Sequence, residues 1–329
     1  MSADLFLKEL RKKAALRKKN LILPESHDIR VLKALEIVVG ENIAQNVMTI
    51  GNEEKILQTA KENGVNLKGV RIIDPEKSEK LSDFVNLFYN QRKQKGKEMP
   101  IEEVRNLMKR DIFFAAMMLK EGMVDASVSG STATTADVMR ASFWCVGLDK
   151  NTSIASSFFL MLKDNETYAF GDCAVNPNPD PNQLADIAIN TADNYKKLTD
   201  IEPKVAMLSF STKGSAEHEL VDKVRQATEI VQQKRPDILI DGELQFDAAY
   251  VPEVGKKKAP NSKVAGNANV YIFPDLQAGN IGYKIAQRLG GFEAVGPVSQ
   301  GLQKPFFDLS RGCSVDDIVN TAAIALMMS

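Results

Sequence analysis

The sequence predicts an α/β protein of two domains, each built on a parallel or mixed sheet flanked by helices. Three observations carry this prediction. Short apolar runs alternate with longer stretches of helical spacing along the chain. The order of the units is strand, loop, helix, which suits parallel sheets covered on both faces. The chain has 329 residues, about two domains at roughly 150 residues each.

The elements follow in order. Residues 20–23 read as a strand stopped by Pro24, and Val31, Leu32, Leu35 and Val38 then mark one face of a helix. Residues 46–50 form a second strand closed by Gly51. Residues 53–63 form a helix ended by Gly64, and residues 70–73 a third strand. Residues 126–129 read as a strand, followed by a polar loop and a helix from about Thr135. Residues 154–162 and 167–170, joined by residues 163–166, read as an antiparallel hairpin set into the α/β pattern. Residues 205–209 form a strand, residues 211–215 a loop, and a helix runs on through Gln233. Strands at 238–240 and 269–273 follow, then a loop over 274–280 and a helix over 281–289.

Composition excludes several classes. With 42 basic and 43 acidic residues, the chain lacks the field of a nucleic-acid binder. Its apolar runs are too short to span a membrane, and the basic stretch 8–19 precedes no apolar signal core. Three cysteines make no disulfide framework, which points to the reducing cytoplasm. His27 and His218 lie far apart, so no metal site is expected. No Gly-x-Gly-x-x-Gly follows a strand, and neither a P-loop nor a Gly-x-Ser-x-Gly elbow occurs.

Ligands of such folds sit at the carboxyl ends of strands, where loops enter helix N-termini. Four loops are candidates. Residues 129–137 place hydroxyls and a glycine between strand and helix. They suit a phosphate on the positive helix end, or equally a threonine N-cap. Residues 275–282 suit close ligand approach at Gly279 and Gly282, or an ordinary turn with Asn280 as N-cap. Residues 211–215 have the same shape, with Lys213 adding charge. In residues 310–319, Ser314 and Asp317 form a capping box in pattern. Arg311 before a helix start is electrostatically awkward unless an anion lies between them, which favours an anion site. The basic stretch 8–19 reads as a solvated helix face and Lys256, Lys257 and Lys258 as an exposed loop. Cys145, Cys173 and Cys313 read as buried small apolar residues.

Several of these segments resemble the phosphate acetyltransferase (phosphotransacetylase) family. They are Asp172-Cys173-Ala174-Val175-Asn176-Pro177-Asn178-Pro179, the run from Phe273 to Tyr283, and Ser310-Arg311-Gly312-Cys313-Ser314. Leu23-Pro24-Glu25 and Ser129-Gly130 with Thr135-Ala136-Asp137 add to them. The resemblance covers essentially the whole chain, and the length is that of the short form, without an N-terminal regulatory region. The chain departs from the family at Ser26-His27-Asp28, at Ala133 and at Ala141. The departures touch acyl-group preference and not the reaction class.

The resemblance implies reversible acetyl transfer between acetyl phosphate and coenzyme A, with phosphate as co-product. It implies an isocitrate/isopropylmalate dehydrogenase-like fold with a cleft between two domains, residues 1–150 with 298–329 and residues 151–297. The sheet edge of the second domain is expected to form a homodimer. Coenzyme A is a substrate, and no bound cofactor or metal is implied. By similarity Asp317 takes the thiol proton, Ser310 stabilises the oxyanion and Arg311 holds the phosphoryl group. Arg92, Arg140, Ser129, Gly130, Thr132 and Asn280 are expected to bind substrate, and Lys213 or residues 256–258 are candidates for the coenzyme A 3′-phosphate. Alternatives are a phosphate butyryltransferase, a dehydrogenase of the related fold, and a non-catalytic coenzyme A-binding scaffold.

Overall fold

The structure, a computed structural model, describes residues 3–329. The chain divides into two compact units. One comprises Leu7–Gly147 with Leu302–Ser329. The other comprises Leu148–Gly301 with residues 3–6.

The first unit runs α1 (Ala3–Leu16, which begins in residues 3–6), β1 (Asn20–Ile22), α2 (Ile29–Gly40), β2 (Asn46–Ile50), α3 (Glu53–Glu62) and β3 (Val70–Ile73). It continues through α4 (Lys80–Gln94), α5 (Ile101–Met108), α6 (Asp111–Lys120), β4 (Ala126–Ser129) and α7 (Thr135–Ala141). A π-helical turn, Ser142–Val146, extends α7. The inserted unit holds β5 (Ser156–Lys163), β6 (Glu166–Gly171), α8 (Pro181–Thr199), β7 (Lys204–Leu208), α9 (Glu219–Lys234) and β8 (Leu239–Leu244). It ends with α10 (Phe246–Tyr250), α11 (Pro252–Lys258), β9 (Val270–Ile272), α12 (Leu276–Arg288) and β10 (Glu293–Gln300). The chain then returns to the first unit for β11 (Phe306–Asp308) and α13 (Val315–Met328).

The first sheet is five-stranded in the order β11-β4-β1-β2-β3, parallel at every pairing. A parallel sheet is covered on both faces, so its flanking helices are strongly apolar. Helix α6 is the extreme case: Ile112, Phe113, Phe114, Ala115, Ala116, Met117, Met118 and Leu119 are all buried. Phe114 packs edge-on against Phe84 at 5.0 Å. The strand β11 has no periodic signal in three residues, and only pairing with β4 (Phe306↔Ser127, Asp308↔Ser129) reveals it.

The inserted sheet has six strands in the order β10-β5-β6-β9-β7-β8. The hairpin β5–β6 forms as the sequence predicts, closing at Lys163↔Glu166 with Asp164 at φ 50°. The strand β10 goes unpredicted and pairs antiparallel with β5 at the sheet edge. The remaining pairings are parallel. The predicted loop over 274–280 is corrected here. Asp275 is the N-cap, its side chain accepting from Ala278 N–H, and α12 starts at Leu276. The chain therefore turns helical as soon as the cap is made. The Lys256–Lys258 stretch is not a loop either. It is the last turn of α11, where lysines complement the helix C-terminus, and Lys258 pairs with Asp247 at 2.9 Å. The three cysteines are buried and unpaired.

Candidate active site

In the first sheet β11, β4 and β1 are neighbours, so their carboxyl ends open side by side. Three loops that are far apart in sequence meet there, each leading into a helix. After β1 the chain runs through Pro24, Glu25 and Asp28 into α2. After β4 it runs through residues 130–134 into α7, and after β11 through Ser310 to Ser314 into α13. Each helix is capped by a side chain: Asp28 accepts from Arg30 N–H, Thr134 from Asp137 N–H and Ser314 from Asp317 N–H.

The loop after β4 does cradle an anion, but the anion is Glu25. Its Oε2 accepts from the N–H of Gly130 (2.6 Å) and Ser131 (2.8 Å) and from the Ser131 hydroxyl (3.2 Å). Its Oε1 accepts from the N–H of Thr132 (3.0 Å) and Ala133 (2.7 Å) and from the Thr132 hydroxyl (2.6 Å). Burial works to raise the Glu25 pKa. The Thr132 hydroxyl and the N–H groups of Ala133, Thr132 and Ser131 outweigh it, and the net shift is downward. The backbone donors of Gly130 and Thr132 are thus engaged by the protein, which corrects their reading as free phosphate ligands. Ser129 is fully buried and its hydroxyl has no partner among the described residues. Because the Thr132 hydroxyl spends its one hydrogen on Glu25, it accepts from His27 Nε2 at 2.8 Å. The His27 Nδ1 lies 3.7 Å from Asp111.

Arg30 ties the loops together. Its Nε and Nη2 donate to Asp28 (3.1 and 2.7 Å). Its Nη2 also reaches Ser131 O at 2.9 Å, and its Nη1 reaches the carbonyls of Arg311 (2.9 Å) and Cys313 (2.8 Å). The Ser310 hydroxyl accepts from Gly312 N–H at 3.2 Å, and the Ser310 carbonyl accepts from Cys313 N–H at 2.9 Å. The Ser314–Asp317 capping box forms as its pattern predicts: Asp317 Oδ2 accepts Ser314 N–H at 2.8 Å. Asp317, Ser310 and Arg311 are exposed. Among the described residues the Arg311 guanidinium takes part in no hydrogen bond or ion pair.

Beneath the cradle lies Asp308. Its Oδ1 is buried without a hydrogen-bond partner. Burial, with the Glu25 charge adding to it and Thr135 opposing, pushes its carboxyl up to about 6. Asp111 is raised as well, chiefly by burial.

Arg92 and Arg140 come together across Trp144, their guanidinium carbons 4.4 and 5.6 Å from the ring centre. Arg140 also pairs with Asp137 at 3.3 Å, whereas Arg92 Nε is buried without a partner. Asn280 belongs to the inserted unit. It sits inside α12, and its amide donates to Cys173 O at 3.1 Å, so it is not an N-cap. Gly279 is needed because a Cβ there would strike the Asp172 carbonyl. Arg30, Trp144 and Asp308 belong to no motif legible in the sequence, and Glu25 and Asp28 stand there only as a family match and a departure. One signal was available, since an Asp directly before an apolar-periodic stretch marks a helix start.

This geometry defines a class: an α/β protein with an open arginine and a hydroxyl at one helix mouth, suited to holding a small anionic substrate. Among the described residues no cluster of side chains could hold a metal ion, and no helix is long and apolar enough to cross a membrane. Comparison with known proteins narrows the class. The family described as Phosphate acetyl/butaryl transferase matches residues 5–326. A phosphate acetyltransferase of Thermoanaerobacterium thermosaccharolyticum is 50% identical over 317 residues, covering 94% of this chain and 95% of the relative. A phosphotransacetylase structure from Streptococcus pyogenes superposes with a TM-score of 0.94 at 42% identity, covering 99% and 98% of the two chains. The chain belongs to the phosphate acetyl/butyryl transferase family. A putative 4-hydroxythreonine-4-phosphate dehydrogenase from Salmonella typhimurium, with a TM-score of 0.53 at 12% identity over 95% of this chain and 100% of that one, shares the fold. The predicted dehydrogenase-like architecture therefore holds.

Proposed function

We propose that this chain is a phosphate acetyltransferase, moving an acetyl group reversibly between acetyl phosphate and coenzyme A. The observation that carries the reading to this site is the Arg311 guanidinium, left without a protein partner beside the N-terminus of α13. Its planar fork suits a phosphoryl group, and the helix end adds favourable potential. The relatives' names favour acetyl over butyryl phosphate.

The chemistry runs in one ternary complex. Asp317 takes the proton of the coenzyme A thiol, since the thiolate is the nucleophile. Of its two oxygens Oδ2 is engaged by the cap, which leaves Oδ1 for the thiol. The thiolate sulfur bonds to the acetyl carbon. Ser310, through hydroxyl or N–H, stabilises the oxyanion, a contribution of about 10²–10³-fold in other acyl transfers. The carbon–oxygen bond to phosphate then breaks, and phosphate leaves on Arg311. Arg92 and Arg140 take the negative charge of the substrates beside Trp144. Gly130 and Thr132 serve indirectly, by building the Glu25 cradle, and Ser129 serves by holding Leu309 N–H with its carbonyl. No resident metal or cofactor is part of this reading.

The same reading has the protein as a cytoplasmic homodimer. Unpaired cysteines suit a reducing compartment. Helix α12 buries only Gly279 and exposes Ile281 and Ile285 at 57% and 52%, with its C-cap Leu289 exposed at 85%. That apolar stripe packs beside β10 at the sheet edge and suits a second copy of the chain.

The test mixes the purified protein with coenzyme A and either acetyl or butyryl phosphate and follows thioester formation. Turnover preferring acetyl phosphate is expected. Butyryl preference would change the substrate. A coenzyme A-dependent change in Trp144 fluorescence without turnover would point to the scaffold reading, Trp144 being the sole tryptophan.

A further inference from the structure

Glu25 has no part in the chemistry above, yet it sits at the centre of the site's hydrogen bonding. A carboxylate offers about four lone-pair positions. Here it accepts from four backbone N–H groups and two hydroxyls of residues 130–133. One of those residues, Ser131, turns its carbonyl to Arg30. The same guanidinium then holds the carbonyls of Arg311 and Cys313, on either side of Gly312.

We propose that Glu25 is a positioning residue for acyl transfer: it fixes the 130–133 loop, and Arg30 passes that fixation to the peptide that carries Arg311. The inference rests on the acyl-transfer reading. Its physical basis is that Ser310 and Arg311 are exposed and sit on a turn. Without the Arg30 bridge, only the turn's own Cys313 N–H bond and the Ser310–Gly312 contact hold them. A displacement of about 1 Å at a reacting group can lower turnover about 10²-fold. The structure also predicts which replacement is worse. Each Glu25 oxygen faces two backbone N–H groups, so a glutamine must turn its NH₂ against two donors whichever way it flips. Aspartate is shorter but keeps the charge and both acceptors.

The experiment compares Glu25→Gln, Glu25→Asp and the parental protein for turnover and KM with acetyl phosphate and coenzyme A, alongside thermal unfolding. Folded Glu25→Gln is expected to lose about ten- to a hundredfold in turnover, with Glu25→Asp in between. A residue that merely fills space gives the reverse order, because glutamine matches glutamate in size, and that order would overturn the proposal. So would parental constants in folded Glu25→Gln. If Glu25→Gln does not fold, Arg30→Lys decides. Lysine cannot span Ser131, Arg311 and Cys313 from one planar group. Turnover should drop about tenfold, and unchanged constants would refute the bridge. An inactive parental protein would instead overturn the acyl-transfer reading, and this inference with it.

Discussion

Asp308 and Asp317 are carboxyls of one unit held in opposite surroundings. Asp317 is exposed and caps its own helix. In Asp317→Asn the amide oxygen keeps accepting Ser314 N–H, so the fold survives while the proposed base is lost. Turnover should fall about 10²–10³-fold and recover in part at higher pH, where solvent supplies the thiolate. Near-parental turnover would leave Asp317 with the cap as its only role. Asp308 is half-buried, its Oδ1 shut away from solvent, with a carboxyl pushed up to about 6. The unfolded chain loses that proton in the ordinary carboxylate range, while the folded chain keeps it until about pH 6. Stability therefore falls as pH rises through this window. Above it, the charged form costs on the order of 1–3 kcal/mol. Asp308→Asn should raise the unfolding temperature at about pH 7.5 and have little effect near pH 4. An equal shift at both pH values would mean packing, not charge, sets the difference.

The loop after β4 shows how strands and helices build a site together. Gly130 has φ +102°, outside the range an L side chain adopts comfortably. A Cβ there would run into Asp308 Oδ1 and come within 2.7 Å of Leu309 N. The glycine is thus required by the close approach of β11, and its N–H then reaches Glu25. Gly130→Ala should destabilise the chain by about 2–3 kcal/mol, measured as a lower denaturation midpoint in urea. It should also lower turnover, because the Glu25 cradle begins at this residue. An unchanged midpoint would mean the loop shifts freely.

For the whole molecule, the exposed stripe on α12 makes the sharpest forecast. The edge strand β10 carries a register shift between Val295 and Val298 and a proline at 297. Both discourage pairing with another strand, so side chains of α12 are the better contact for a second chain. The parental protein should run at twice its 36.3 kDa chain mass in size exclusion with light scattering. Ile285→Lys should shift it toward monomer, since a lysine placed in an apolar contact must lose its hydration. A parental monomer would refute the homodimer, and a dimeric variant would move the interface off α12.

Much of this protein is legible from its residues. Alternating apolar runs reveal β1, β2, β3, β4 and the β5–β6 hairpin, because periodicity and turn chemistry are local. The Ser314–Asp317 capping box is local too, and it forms as read. The strand β11 and the edge strand β10 are not legible, since what makes them strands is the neighbour they pair with. The start of α12 is not legible either, because Asp275 and Asn280 both resemble a cap and only the backbone decides between them. The 129–137 loop illustrates the limit best. Residue types alone suit it equally to an anion cradle or an N-cap, and it is both, with Thr134 as the cap. That the anion is Glu25, a hundred residues earlier in the chain, follows from β4 lying beside β1 in the sheet. Hydrogen bonds between distant segments depend on strand order, and strand order is a property of the folded sheet.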